Sequence, residues 1–88
     1  MELSISKSAR QFGYVIWNSK TDNAMKSFLN GKNSVNVTFN GITVGVKNVD
    51  WKYHRISIGY KFTRGLPETA SMFILKMNGD TLEVSTNG

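Results

Sequence analysis

Eighty-eight residues, no cysteine and a formal net charge of +5 set the first bounds on this chain. Such a length holds one domain with a small core, and the missing thiols exclude a disulfide framework, a cysteine zinc site and a cysteine nucleophile. The charge is uneven: residues 1–64 hold ten of the eleven basic groups against three of the six acidic ones, a balance of +7, while residues 65–88 set Lys76 against Glu68, Asp80 and Glu83. A basic face suggests a polyanionic partner; the alternative is a solvated surface that only keeps the protein soluble. Met1-Glu2-Leu3-Ser4 does not read as a signal peptide. No apolar run approaches the roughly 18 residues of a membrane span. The expectation is a cytoplasmic protein with no membrane partner.

Taken in order, the chain opens with an alternating strand, Leu3-Ser4-Ile5-Ser6-Lys7, followed by a polar loop over 8–13 that contains Arg10. Tyr14-Val15-Ile16-Trp17 reads as a buried strand. A short helix is expected over 21–29. Ser19 or Thr21 would cap it, Asp22 suits its first turn, and Ala24, Met25, Phe28 and Leu29 form its apolar stripe. Asn30-Gly31 supplies the stop.

Asn40-Gly41 then separates Val35-Asn36-Val37-Thr38-Phe39 from Ile42-Thr43-Val44-Gly45-Val46. Asn-Gly suits a type I′ turn, whose two central residues need positive φ. That turn pairs Phe39 with Ile42, Val37 with Val44 and Val35 with Val46, all on one face. A strand ends near Val49, a polar aromatic loop covers 50–54, and Arg55-Ile56-Ser57-Ile58 is a strand. One helical turn is expected over 60–66, ended by Gly65-Leu66-Pro67. A second Asn-Gly pair, Asn78-Gly79, sets Leu75 against Leu82 and Phe73 against Val84. Val37, Val44, Leu75 and Leu82 are the expected core of the two hairpins.

The order strand, basic loop, strand, helix, hairpin therefore occurs twice, over 1–46 and 47–88, and self-similarity of this kind precedes any motif in weight. Val46-Lys47-Asn48-Val49-Asp50, Arg55-Ile56-Ser57-Ile58-Gly59 and Thr63-Arg64-Gly65-Leu66 carry a resemblance, and Ile5-Ser6-Lys7 through Gly13-Tyr14-Val15-Ile16-Trp17 carries it more loosely. Each half resembles the swapped-hairpin unit of the AbrB, SpoVT and MazE family of DNA-binding proteins, in which a basic residue after a polar loop opens an Ile/Val-rich strand. The resemblance covers nearly the whole chain. It implies duplex-DNA binding and a regulator of transcription. Because that family pairs two chains of one unit each, it also implies a monomeric pseudo-dimer here, with a homodimer as the alternative.

The remaining chemistry is sparse. His54 is the sole histidine, with no second His or Cys to complete a metal site. The six carboxylates form no acid–base motif. The eight glycines include no phosphate-binding loop, and Gly13, Gly41 and Gly79 read as turn residues. The chain is therefore read as a non-enzyme without cofactor or metal. Two clusters mix cations with aromatics: Trp51-Lys52-Tyr53-His54-Arg55 and Tyr60-Lys61-Phe62-Thr63-Arg64. Cations neutralise phosphates and release counterions; exposed aromatics stack on unpaired bases. The competing reading buries Tyr60 and Phe62 while the cations reach outward.

The sequence thus sets out a single β-rich α+β domain, 1–88, of two strand–loop–strand–helix–hairpin units in a small swapped-hairpin-like barrel. Its expected nucleic-acid contacts are Lys7, Arg10, Trp51, Lys52, Tyr53, His54, Arg55, Lys61 and Arg64. Two alternatives stand beside duplex-DNA binding. One is a phage- or mobile-element-type protein that binds and inhibits a host protein. The other is a barrel for single-stranded DNA or RNA.

Overall fold

Turn chemistry and alternation set up seven strands and three short helices. The structure, a computed structural model, describes residues 1–88. The chain runs β1 (Glu2–Ser4), α1 (Lys7–Phe12), β2 (Tyr14–Ile16), a 3₁₀ turn (Ser19–Thr21), α2 (Asp22–Phe28), β3 (Ser34–Phe39), β4 (Ile42–Asp50), β5 (Arg55–Ser57), α3 (Tyr60–Thr63), β6 (Met72–Asn78) and β7 (Thr81–Thr86). The strands form one nearly closed, barrel-like sheet in the order β1-β6-β7-β3-β4-β5-β2. Every pairing is antiparallel except β3 with β7. The domain measures 31 × 26 × 18 Å, and no helix is long and apolar enough to cross a membrane.

Alternation decides which side chains enter the barrel. Val15, Ile56 and Val49 lie in one row across β2, β5 and β4, and all three are buried. Val37 and Phe39 lie beside Leu82 and Val84 of β7 and are likewise buried. The Phe39 ring meets Phe73 at 6.3 Å and Phe62 at 6.0 Å, within the range in which tilted aromatic pairs attract. From the helices, Met25, Leu29 and Ala9 complete the core with no exposed surface.

Several expectations need correction. Residues 8–13 are not a loop: Ser6 accepts the Ala9 amide at 3.1 Å and Gly13 closes the end at φ 72°, so Lys7–Phe12 is a capped helix. Strand β1 consequently stops at Ser4, before Lys7. The helix at 21–29 is present from Asp22, with Thr21 at its N-cap position but making no side-chain capping bond; the 3₁₀ turn before it is capped by Asn18, whose side chain accepts the Thr21 amide. Ala24 is exposed and Phe28 only half-buried, so Met25 and Leu29 are the anchors.

Both hairpins form with altered registers. Asn40 and Gly41 take φ of 47° and 83°, as a type I′ turn requires, and Phe39 faces Ile42. A bulge then intervenes, so Val37 faces Gly45 and Val35 faces Lys47. The extra residue reverses the facing of the rest of β4. Val44 is half-buried and Val46 is 66 % exposed, against the expected inward pairs. In the second hairpin Gly79-Asp80 is the turn, so Leu75 faces Val84 and Leu82 faces Met77. That shift is two residues and preserves the facing, and Leu75 and Leu82 are buried as expected.

Candidate nucleic-acid interface

The row that buries Val15 and Ile56 turns Tyr14, Ile16, Arg55 and Ser57 to the opposite face of the β2–β5 ladder. Arg55 lies with its guanidinium 4.3 Å from the centre of the Tyr14 ring and 5.0 Å from that of Tyr53. Phe12, at the end of α1, stacks on Tyr14 at 5.6 Å and 28°, and the Lys52 ammonium lies 5.3 Å from the Tyr53 ring. Phe12, Tyr14, Arg55, Tyr53 and Lys52 thus form a continuous series of aromatic and cationic groups, with Phe12 and Tyr53 about half exposed. Cation–π contact holds a guanidinium in plane while leaving its N–H edges directed outward. No hydrogen bond engages the Arg55 side chain; its nearest acid is Asp50, with Oδ2 3.9 Å from Nε.

The loop before β5 is fixed from both ends. Asp50 Oδ1 accepts the Tyr53 amide at 2.9 Å, a local turn closure typical of aspartate. His54 takes φ 57°, its carbonyl accepts the Trp17 amide at 2.9 Å, and its Nδ1 lies 2.9 Å from Asp22 Oδ1. Trp17 Nε1 donates to the same oxygen at 2.6 Å. The Trp17 hydrogen bond is the main reason that the Asp22 carboxyl titrates below its ordinary value; the bond to His54 and the charges of His54 and Lys26 act the same way, against partial burial.

The nine expected contact residues therefore fall into three places. Lys52, Tyr53 and Arg55 share the exposed series. Trp51 and His54 are half-buried and belong to the support beneath: Trp51 Nε1 donates to the Lys32 carbonyl at 3.3 Å and its ring meets Trp17 edge-on at 5.7 Å. Lys7, Arg10 and Arg64 line a cleft between α1 and α3, while Lys61 lies over Phe62 beside the β3–β4 turn. Arg10 donates to the carbonyls of Leu66, at 3.2 Å, of Pro67, at 3.1 Å, and of Ala70, clamping the segment after α3.

Sequence reasoning passed over Phe12, Tyr14 and Asp50. The sequence reads Tyr14 as part of a buried strand, although its alternation with buried Val15 is the signal that turns it outward. On geometry alone this is a small barrel-like α+β protein with an aromatic–cationic face on β2 and β5 and a second cluster of this kind at Tyr60 and Arg64, where the guanidinium lies 5.4 Å from the ring centre. No family model, no curated protein and no solved structure matches the chain.

Proposed function

We propose that the protein binds duplex DNA through the outer face of β2 and β5, and acts there as a small regulator of transcription. One observation carries this reading: the half-buried Arg55 guanidinium lies against the Tyr14 and Tyr53 rings with no side-chain hydrogen bond and only a long 3.9 Å ion pair, through Nε, to Asp50. A guanidinium so aligned suits bidentate contact with a phosphate or with a guanine edge. The rings of Tyr14 and Tyr53 engage the protein's own cations, which favours N–H edges over base stacking and hence duplex over single strands. The +7 balance of residues 1–64 supplies attraction at long range. Two swapped-hairpin-like units, 1–46 and 47–88, are part of the same proposal, supported by the repeated order of strand, helix and hairpin.

The test is a salt titration of binding to duplex and single-stranded oligonucleotides. Duplex binding that weakens steeply with salt and is reduced by Arg55→Ala is the expected result. Equal or stronger binding of single strands supports the stacking alternative. Binding of neither at low salt leaves the reading in which the protein docks on a host protein, for which the exposed Ile42 and Val46 of β4 are the supporting observation.

A further inference from the structure

A second site lies away from the Arg55 face. Helices α1 and α3 are held together by the Thr63 hydroxyl, which donates to the Arg10 carbonyl at 2.8 Å, and by the close approach of Gly13 to Gly59. Between them is a shallow cleft of about 600 Å³ lined by Lys7, Arg10, Gln11, Tyr60, Thr63 and Arg64. No carboxylate lines it. The carboxylates pair with Lys32 (Asp80), with Arg55 (Asp50) and, when it is protonated, with His54 (Asp22), so none of the three cleft cations is neutralised.

The polarity of the groups is as one-sided as the charge. Arg64 Nη1 donates to the Tyr60 hydroxyl oxygen at 3.4 Å, which leaves the hydroxyl proton to donate elsewhere. Lys7 and Gln11 have no hydrogen-bond partner on their side chains, and the rest of the Arg64 fork is free. Arg10 is anchored on the carbonyls of Leu66, Pro67 and Ala70, so it contributes a fixed charge at the base of the cleft. Several donors, three cations and no acid converge on one open volume. A group with several anionic oxygens satisfies such a set, and a planar fork beside a lysine suits phosphate.

The geometry points to a phosphate-binding site between α1 and α3, in which Lys7, Arg64 and the Tyr60 hydroxyl hold the oxygens of a phosphoryl group. The group belongs either to a free phosphate ester or to a nucleic-acid backbone, since both present the same oxygens.

The full chain, labelled for amide resonances, is titrated with inorganic pyrophosphate at low ionic strength. Saturable shifts confined to Lys7–Phe12 and Tyr60–Thr63 are expected, weakened about tenfold or more in Lys7→Gln/Arg64→Gln, because each lost charged hydrogen bond removes that order of affinity. Arg55→Ala leaves them unchanged. Both substituted side chains are at the surface, so the fold serves as its own control through the unaffected core resonances. If duplex DNA displaces pyrophosphate and the double variant also weakens DNA binding, the phosphate is that of the backbone. If the double variant loses pyrophosphate alone, the site takes a free phosphate ester. Absence of saturable shifts, or shifts indifferent to Lys7 and Arg64, overturns the site. Loss of DNA binding in Arg55→Ala with pyrophosphate binding intact separates this site from the face proposed above.

Discussion

The Gly13 carbonyl accepts the amides of both Ile58, at 2.8 Å, and Gly59, at 3.2 Å. The two backbones approach so closely that a Cβ on Gly13 would lie 2.1 Å from the Gly59 carbonyl carbon. This contact joins the end of α1 to the start of α3, and Gly13 makes it at φ 72°. Gly13→Ala therefore adds left-handed strain of about 1 kcal/mol to a backbone clash that nothing flexible can relieve. The expected loss is about 3 kcal/mol or more, at the upper end for single substitutions, read as a fall in the denaturant midpoint. A loss under about 1 kcal/mol would show that α1 and α3 separate freely.

The second prediction concerns the helix between β2 and β3. Leu29 is fully buried and Phe28 only partly so. Leu29→Ala should cost about 2–5 kcal/mol, and Phe28→Ala less than the 3–5 kcal/mol of a fully buried phenylalanine. Chemical denaturation of the two variants gives the order directly; a larger cost at Phe28 contradicts the packing.

The existence of this helix was legible because Met25 and Leu29 repeat at four residues and Asn30-Gly31 ends the run. Helix α1 was not legible, for a physical reason. It buries only Ala9, so no apolar stripe shows in its sequence, and its helicity rests on the Ser6 cap and the Gly13 stop. The bulge in β4 was hidden too. Val44 and Val46 alternate with Thr43, Gly45 and Lys47 and so point to the unbulged register, whereas the bulge, with Gly45 at φ 112°, sets Gly45 and Lys47 opposite the buried Val37 and Val35. The Arg55 face suffered from the same blindness: cation and aromatic types were visible in sequence, but only the β2–β5 register brings Tyr14 from forty residues away onto Arg55.

A third prediction follows from that bulge. Over residues 42–48 the second edge of β4 pairs with no strand, since β5 meets only Val49 and Asp50. Lys47 shares the inner face with buried Val35 and sits half-buried there. An inward charge and a bulge are two ways in which edge strands resist pairing with other chains. Lys47→Val should therefore promote self-association, seen as concentration-dependent mass in sedimentation. A variant that stays as the native protein does at every concentration removes this role from Lys47.

The fourth concerns pH. Asp22 titrates below its ordinary value of 3.8 in the folded protein, chiefly because Trp17 donates to it. A carboxyl with a depressed folded pKa contributes stability that is present above its unfolded value and disappears as pH falls through its folded value. Asp22→Asn should thus be less stable than the native protein at neutral pH, with the difference shrinking below about pH 3.8. Thermal unfolding of both proteins across that range checks it, and a difference that grows on acidification contradicts it.

The last prediction separates two arginines that look alike in the sequence. Arg10 and Arg55 each stand in a basic segment beside a strand, yet their guanidinium groups have different work. Arg10 holds the carbonyls of Leu66, Pro67 and Ala70, and hydrogen bonds from a charged group contribute about 1.5–3 kcal/mol each when their loss strands buried acceptors. Some of these carbonyls regain water on truncation, so Arg10→Ala should destabilise the protein by about 2 kcal/mol. The Arg55 side chain makes no hydrogen bond; it packs against the Tyr14 and Tyr53 rings and lies 3.9 Å from Asp50 Oδ2. Its removal should leave the unfolding midpoint nearly unchanged, while duplex affinity falls and the logarithmic salt slope drops by about one unit. If Arg55 reads a guanine edge instead, the loss is about 1–3 kcal/mol at a single base pair and the slope is kept. Lys76, in the acidic C-terminal part, serves as the control whose alanine variant changes neither quantity. Equal loss of DNA affinity from Arg55→Ala and Lys76→Ala would reduce the Arg55 face to an ordinary solvated surface.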